Sequence, residues 1–213
     1  MTLRVAGLWR YPVKSLAGEP LMAATLSTEG IAGDRVVHVC GPEGVRTARR
    51  HHRLLGLIGR LGSDGRPCIN GHPWDSPKAL ALIKNAAGDD AWLEAHEGPE
   101  RFDILPLLVA TDGAVAMFGR DVRRLRPNIL VGGVEGMAET FWQDVHLHIA
   151  DTRVRLDALR GRCTMTTVDP DTLEREPEVL MDIGRRFGGR IALDAEVTRG
   201  GTVRIGDDVL IDR

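Results

Sequence analysis

Apolar and polar residues alternate along Leu3-Arg4-Val5-Ala6-Gly7-Leu8-Trp9-Arg10-Tyr11 with the two-residue period of a strand, and Pro12 closes the run. The same reading predicts strands over residues 21–26 and 36–40, with the loop Val13-Lys14-Ser15-Leu16-Ala17-Gly18-Glu19 and the glycine-bounded Gly30-Ile31-Ala32-Gly33-Asp34-Arg35 between strands. Asn70-Gly71, set between Cys68-Ile69 and Trp74, predicts a hairpin turn. Further on, 104–110 is an apolar run, 129–131 is strand-like, 142–150 and 152–156 alternate, and 200–211 reads as a hairpin with a Gly-Asp turn. Short helices are expected over 76–85, 112–120 and 177–186. Strands punctuated by glycine every ten residues or so predict a barrel or sandwich, so the expected class is mainly β with a few short helices. Gly98-Pro99-Glu100-Arg101 is the expected seam between a first domain, 1–100, and a second, 101–213.

Composition narrows this picture. A chain of 213 residues can bury roughly 70% of its unfolded surface. With 28 Lys and Arg against 30 Asp and Glu, nothing favours a nucleic acid or a membrane surface as partner. Three scattered cysteines make no disulfide framework, and the opening Thr2-Leu3-Arg4-Val5 is unlike a signal sequence, which together lead to an expectation of the cytoplasm. No apolar run approaches the ~20 residues of a membrane span. Adjacent His51 and His52 point in different directions, which disfavours a zinc site built on the pair; His146 and His148 share a strand face but lack an obvious third ligand. No dinucleotide fingerprint, Walker loop or nucleophile elbow occurs.

One stretch stands out chemically, Leu-Arg-Gly-Arg-Cys-Thr-Met-Thr-Thr-Val-Asp-Pro-Asp-Thr over 159–172. A cationic neighbour such as Arg162 favours the thiolate of Cys163, the form that attacks electrophiles or ligates a soft metal. The plain alternative is a small buried hydrophobe. Elsewhere the chain offers Lys14 with Ser15, Arg35, and Arg126 with Asn128, a set suited to a phosphate-bearing polar ligand.

Tyr11-Pro12-Val13-Lys14-Ser15, Gly33-Asp34-Arg35, Thr47-Ala48-Arg49, Arg124-Leu125-Arg126-Pro127-Asn128-Ile129 and Arg162-Cys163-Thr164-Met165-Thr166-Thr167-Val168-Asp169-Pro170 together resemble the motifs of the MOSC family. That family is named for the C-terminal domain of molybdenum cofactor sulfurase and includes the mitochondrial amidoxime-reducing component and its bacterial relatives. The resemblance implies a MOSC-type β-barrel preceded by a MOSC N-terminal β-barrel domain. It implies the molybdenum cofactor, Mo-molybdopterin, with Cys163 as the metal ligand at the catalytic centre and Arg162 beside it. By the same resemblance, Lys14, Ser15, Arg35, Arg126 and Asn128 hold the pterin and its phosphate. The implied activity is reduction of N-hydroxylated small molecules, such as amidoximes and hydroxylaminopurines, by removal of oxygen. Three cysteines cannot ligate an iron–sulfur cluster of their own, so a separate flavin or iron–sulfur reductase is the expected electron donor. The same residues would equally serve a carrier that holds molybdenum cofactor or sulfur without turning over a small molecule.

Overall fold

The computed structural model describes residues 2–212. Seven strands close into a barrel: Ile129–Gly132, Leu107–Thr111, Arg190–Arg199, Thr152–Gly161, His146–Ile149, Asp208–Asp212 and Leu3–Arg10, the last returning to pair with Ile129–Gly132. All neighbours are antiparallel except Leu107–Thr111 and Ile129–Gly132, which run parallel. A parallel pair needs a crossover. Here it is helix α2, Asp112–Phe118, followed by the single turn Val122–Arg124.

The two-residue period explains how one strand serves two cores. Leu107 and Val109 face the barrel interior with Val5, Ile129, Leu147 and Leu193, whereas Leu108 and Ala110 face outward beneath α2 and α3, Pro177–Phe187. A third core lies beside the barrel. There α1, Pro77–Ala87, packs Ala79 and Ile83 against Val13, Leu16, Val37, Val39 and Leu54. The Ser76 side chain caps α1 by accepting from the Ala79 N–H, and Pro77 supplies the fixed φ favoured at a first helical position.

The expected mainly β class holds, with three helices close to where the sequence placed them. The Asn70-Gly71 turn forms, with φ of 48° and 81°, the left-handed pair that a tight hairpin requires. The expected C-terminal hairpin does not. Gly201–Arg204 pairs with Ala23–Ser27, whereas Asp208–Asp212 joins the barrel, so the turn between them switches sheets. Alternation identified both strands but carries no information about their partners. Among the described residues no helix is long and apolar enough to cross a membrane.

Candidate functional site

Where the barrel rim meets the third core, a small cleft of about 100 Å³ is lined by Lys14, Ser15, Arg35, Arg126, Arg162 and Cys163. Six of the seven expected site residues therefore meet in one place. The local backbone is unusual there. Ser15, Arg35 and Arg126 have φ of 73°, 55° and 57°, a left-handed conformation that costs a residue with a Cβ on the order of 1–2 kcal/mol. Hydrogen bonds hold each bend: Lys14 N donates to Val37 O (2.8 Å), Arg35 N to Tyr11 O (2.8 Å) and Arg126 N to Arg123 O (3.2 Å). Pro127 also bars Arg126 from the right-handed helical region.

The seventh residue, Asn128, is fully buried beneath the cleft and does not line it. Its amide donates to Trp9 O and Asp34 Oδ2, and its oxygen accepts from Leu108 N. Asn128 thus joins the opening strand to the strand Leu107–Thr111. Asp34 is the hub that sequence reasoning passed over. Its carboxylate accepts from Tyr11 N (2.6 Å) and from Asn128, and pairs with Arg35. Burial raises its pKa, while Arg35, the Tyr11 N–H and the Asn128 amide pull it back. The sequence does mark it, within the Gly33-Asp34-Arg35 motif.

Tyr11 forms part of the floor. Its hydroxyl donates to Pro127 O (3.0 Å), and the Arg126 guanidinium lies 4.3 Å from the ring centroid. Burial pushes Tyr11 up to about 12, so it stays neutral. Cys163 opens the short turn Thr164–Thr167. The threonines that follow it have a structural use: Thr166 Oγ1 donates to Cys163 O (2.6 Å) and Thr167 Oγ1 to Thr164 O (2.7 Å). They fix the backbone at the thiol, which remains half-exposed at the cleft wall.

The cations of the cleft fall into two groups. Lys14 (2.8 Å) and Arg49 (2.8 Å) share Asp103; burial alone would raise that carboxyl, but Lys14 and then Arg49 reverse the effect and hold it low. Arg160 pairs with Asp194. Arg126, by contrast, has no carboxylate partner among the described residues, and burial lowers its pKa. Arg162 gives one N–H to Leu125 O (2.8 Å), while its buried Nε has no hydrogen-bond partner among the described residues. Burial lowers Arg162 to about 10, opposed by Cys163, and it remains a cation at neutral pH. Arg49 and Arg160 lie in stretches the sequence marks, Thr47-Ala48-Arg49 and 159–172, without being expected as site residues, whereas Asp103 carried no signal of its own; chain folding brings the three together from separate segments.

The family described as "MOSC domain" matches residues 112–210, and that described as "MOSC N-terminal beta barrel domain" matches residues 2–65. The chain is 25% identical to mitochondrial amidoxime-reducing component 1 of Homo sapiens, across 97% of this chain and 82% of that protein. It is 34% identical to mitochondrial amidoxime reducing component 2 of Macaca fascicularis, across 79% of this chain and 67% of that protein. Among solved structures, the YUAD protein of Bacillus subtilis shares the fold at TM-score 0.55 and 13% identity, covering 99% of this chain and 96% of that one.

Proposed function

The chain belongs to the MOSC family, and from that premise we propose that it binds the molybdenum cofactor and removes oxygen from N-hydroxylated small molecules such as amidoximes and hydroxylaminopurines. The observation that carries this reading is the meeting of the Cys163 thiol with two guanidinium groups, Arg126 and Arg162, that have no carboxylate partner among the described residues. Partly buried charge without a counter-charge is unfavourable, and a phosphate-bearing anionic ligand would relieve it.

The donor set fits the cofactor. Lys14, Ser15, Arg35 and Arg126 would hold the pterin and its phosphate, and the Cys163 thiolate is a soft ligand for the metal. When bound, the cofactor would supply the two-electron redox chemistry by which an N–OH group becomes N–H. The protein's own groups bind and orient. Asp34 holds Arg35 and, through Asn128, sets the spacing between the opening strand and the strand Leu107–Thr111. Thr166 and Thr167 fix the turn that presents the thiol. The cleft is open to solvent, which supplies the two protons that leave with the oxygen as water.

Electrons come from a separate flavin or iron–sulfur protein. Cys40, Cys68 and Cys163 sit on different elements and are one short of the four ligands a cluster normally takes. The test is benzamidoxime reduction by cofactor-loaded protein with a chemical electron donor. Turnover that disappears in Cys163→Ser supports the reading; loaded protein that is inert toward both benzamidoxime and a hydroxylaminopurine would favour the carrier instead.

A further inference from the structure

The strands Val37–Gly41 and Trp92–Ala95 pair antiparallel, with Cys40 opposite Trp92 and His38 opposite Glu94. Side chains two residues apart on a strand share a face, and directly paired residues do too. His38, Cys40 and Glu94 therefore project to one side of this sheet, together with His96, whose N–H donates to Val36 O. The Cys40 Sγ, a Glu94 carboxylate oxygen and a His96 ring nitrogen lie within 4.8 Å of one another. With Zn–S near 2.3 Å, Zn–N near 2.0–2.1 Å and Zn–O near 2.0–2.2 Å, a tetrahedral site of one sulfur, one nitrogen and one oxygen needs ligand atoms about 3.3–3.7 Å apart. Small side-chain rotations close that gap.

A second observation points the same way. His38 is 1% exposed and stacks on His96, with ring centroids 3.9 Å apart and planes at 16°. The His38 ring nitrogens lie close to the Arg35 and Arg101 backbone without reaching good hydrogen-bond geometry, and Nε2 of His96 has no partner among the described residues. Buried polar atoms are normally paired, so poorly satisfied imidazole nitrogens beside a thiol and a carboxylate form a donor set that a cation would satisfy. A surface cleft lined by Glu29, Val36, His96 and Arg101 gives access to the His96 side.

We propose that Cys40, Glu94 and His96 bind one Zn²⁺-like divalent cation, at a site separate from the cleft that holds Cys163. The mixed sulfur, nitrogen and oxygen donors suit a borderline-soft ion and disfavour Mg²⁺ or Ca²⁺, which take oxygen. The ion pins Trp92–Ala95 to Val37–Gly41. From His96 the chain runs through the turn Pro99–Arg101 to Asp103, which pairs with Lys14 and Arg49. The bound ion thus fixes the near end of the segment that carries Asp103 to the cleft.

The probe is Co²⁺, added to cofactor-free Cys163→Ser protein so that the cleft thiol contributes nothing. One equivalent is expected to give a thiolate-to-cobalt charge-transfer band, displaced by Zn²⁺, and Zn²⁺ is expected to raise the melting temperature. Both effects are expected to disappear on adding Cys40→Ser, or His96→Ala at its half-exposed position, with the fold checked by circular dichroism. Absence of the band from Cys163→Ser protein, or its survival in both folded double variants, overturns the proposal.

Discussion

Arg124 and Arg126 leave the same short stretch of chain and meet opposite surroundings. Arg124, with its side chain 3% exposed, pairs with Asp169 at 2.8 Å and Glu176 at 2.5 Å and donates to Thr167 O, tying the turn after Cys163 to the approach of α3. Arg126 stands over Tyr11 and faces the cleft with no carboxylate within reach among the described residues. Both are arginines of one basic run, Arg124 buried and Arg126 partly buried, and sequence alone gives them equal weight. The difference teaches that, in this fold, a cation's counter-charge separates a structural tie from a candidate ligand contact.

The largest expected effect breaks the structural side. Arg124→Met leaves Asp169 and Glu176 facing each other without their cation and should cost about 3 kcal/mol. At roughly 2–4 °C per kcal/mol for a chain this size, cofactor-free protein should melt roughly 6–12 °C lower. A smaller loss is expected for Asp34→Asn, about 2 kcal/mol, since one buried acceptor becomes a donor facing Arg35 and the Asn128 amide. Chemical denaturation of the cofactor-free variant checks it, and Arg35 should then join Arg126 as an unpaired cation.

A pH experiment probes the pairs in between. Lys14 and Arg49 hold Asp103 below its ordinary value of 3.8, so its contribution to stability is present above that pH and is lost as pH falls below it. Acid unfolding curves of wild type and Asp103→Asn should converge below pH 3.8 and separate modestly above it, the carboxyl being partly exposed. The smallest effect on stability belongs to Arg126→Met. Only its stacking on Tyr11 is lost, within about 1 kcal/mol, while cofactor retention should fall sharply. A large loss of stability in that variant would erase the distinction between the two arginines.

The sequence made strands legible where one face is core, as at Leu3–Arg10, and helices where a cap marks the start, as at Ser76. Partnership was less legible. Gly201–Arg204 and Asp208–Asp212 look like a hairpin because both alternate, yet they bury their apolar faces in different sheets. At the candidate site, Lys14, Ser15, Arg35, Arg126, Arg162 and Cys163 were readable through motifs with unusual local chemistry. Asp103 was not, because an isolated aspartate after a turn has no pattern until Lys14 and Arg49 fold against it. The cluster of Cys40, Glu94 and His96 was hidden for the same reason: Cys40 lies more than fifty residues from the other two until strand pairing aligns them.

The claim on which the account depends is that the Cys163 sulfur holds molybdenum within this cationic cleft. Its most direct test is the molybdenum content of wild type and Cys163→Ser, both purified from a host that makes the cofactor. The account predicts molybdenum in the wild type and a near-complete loss from the variant; equal amounts in both would contradict it.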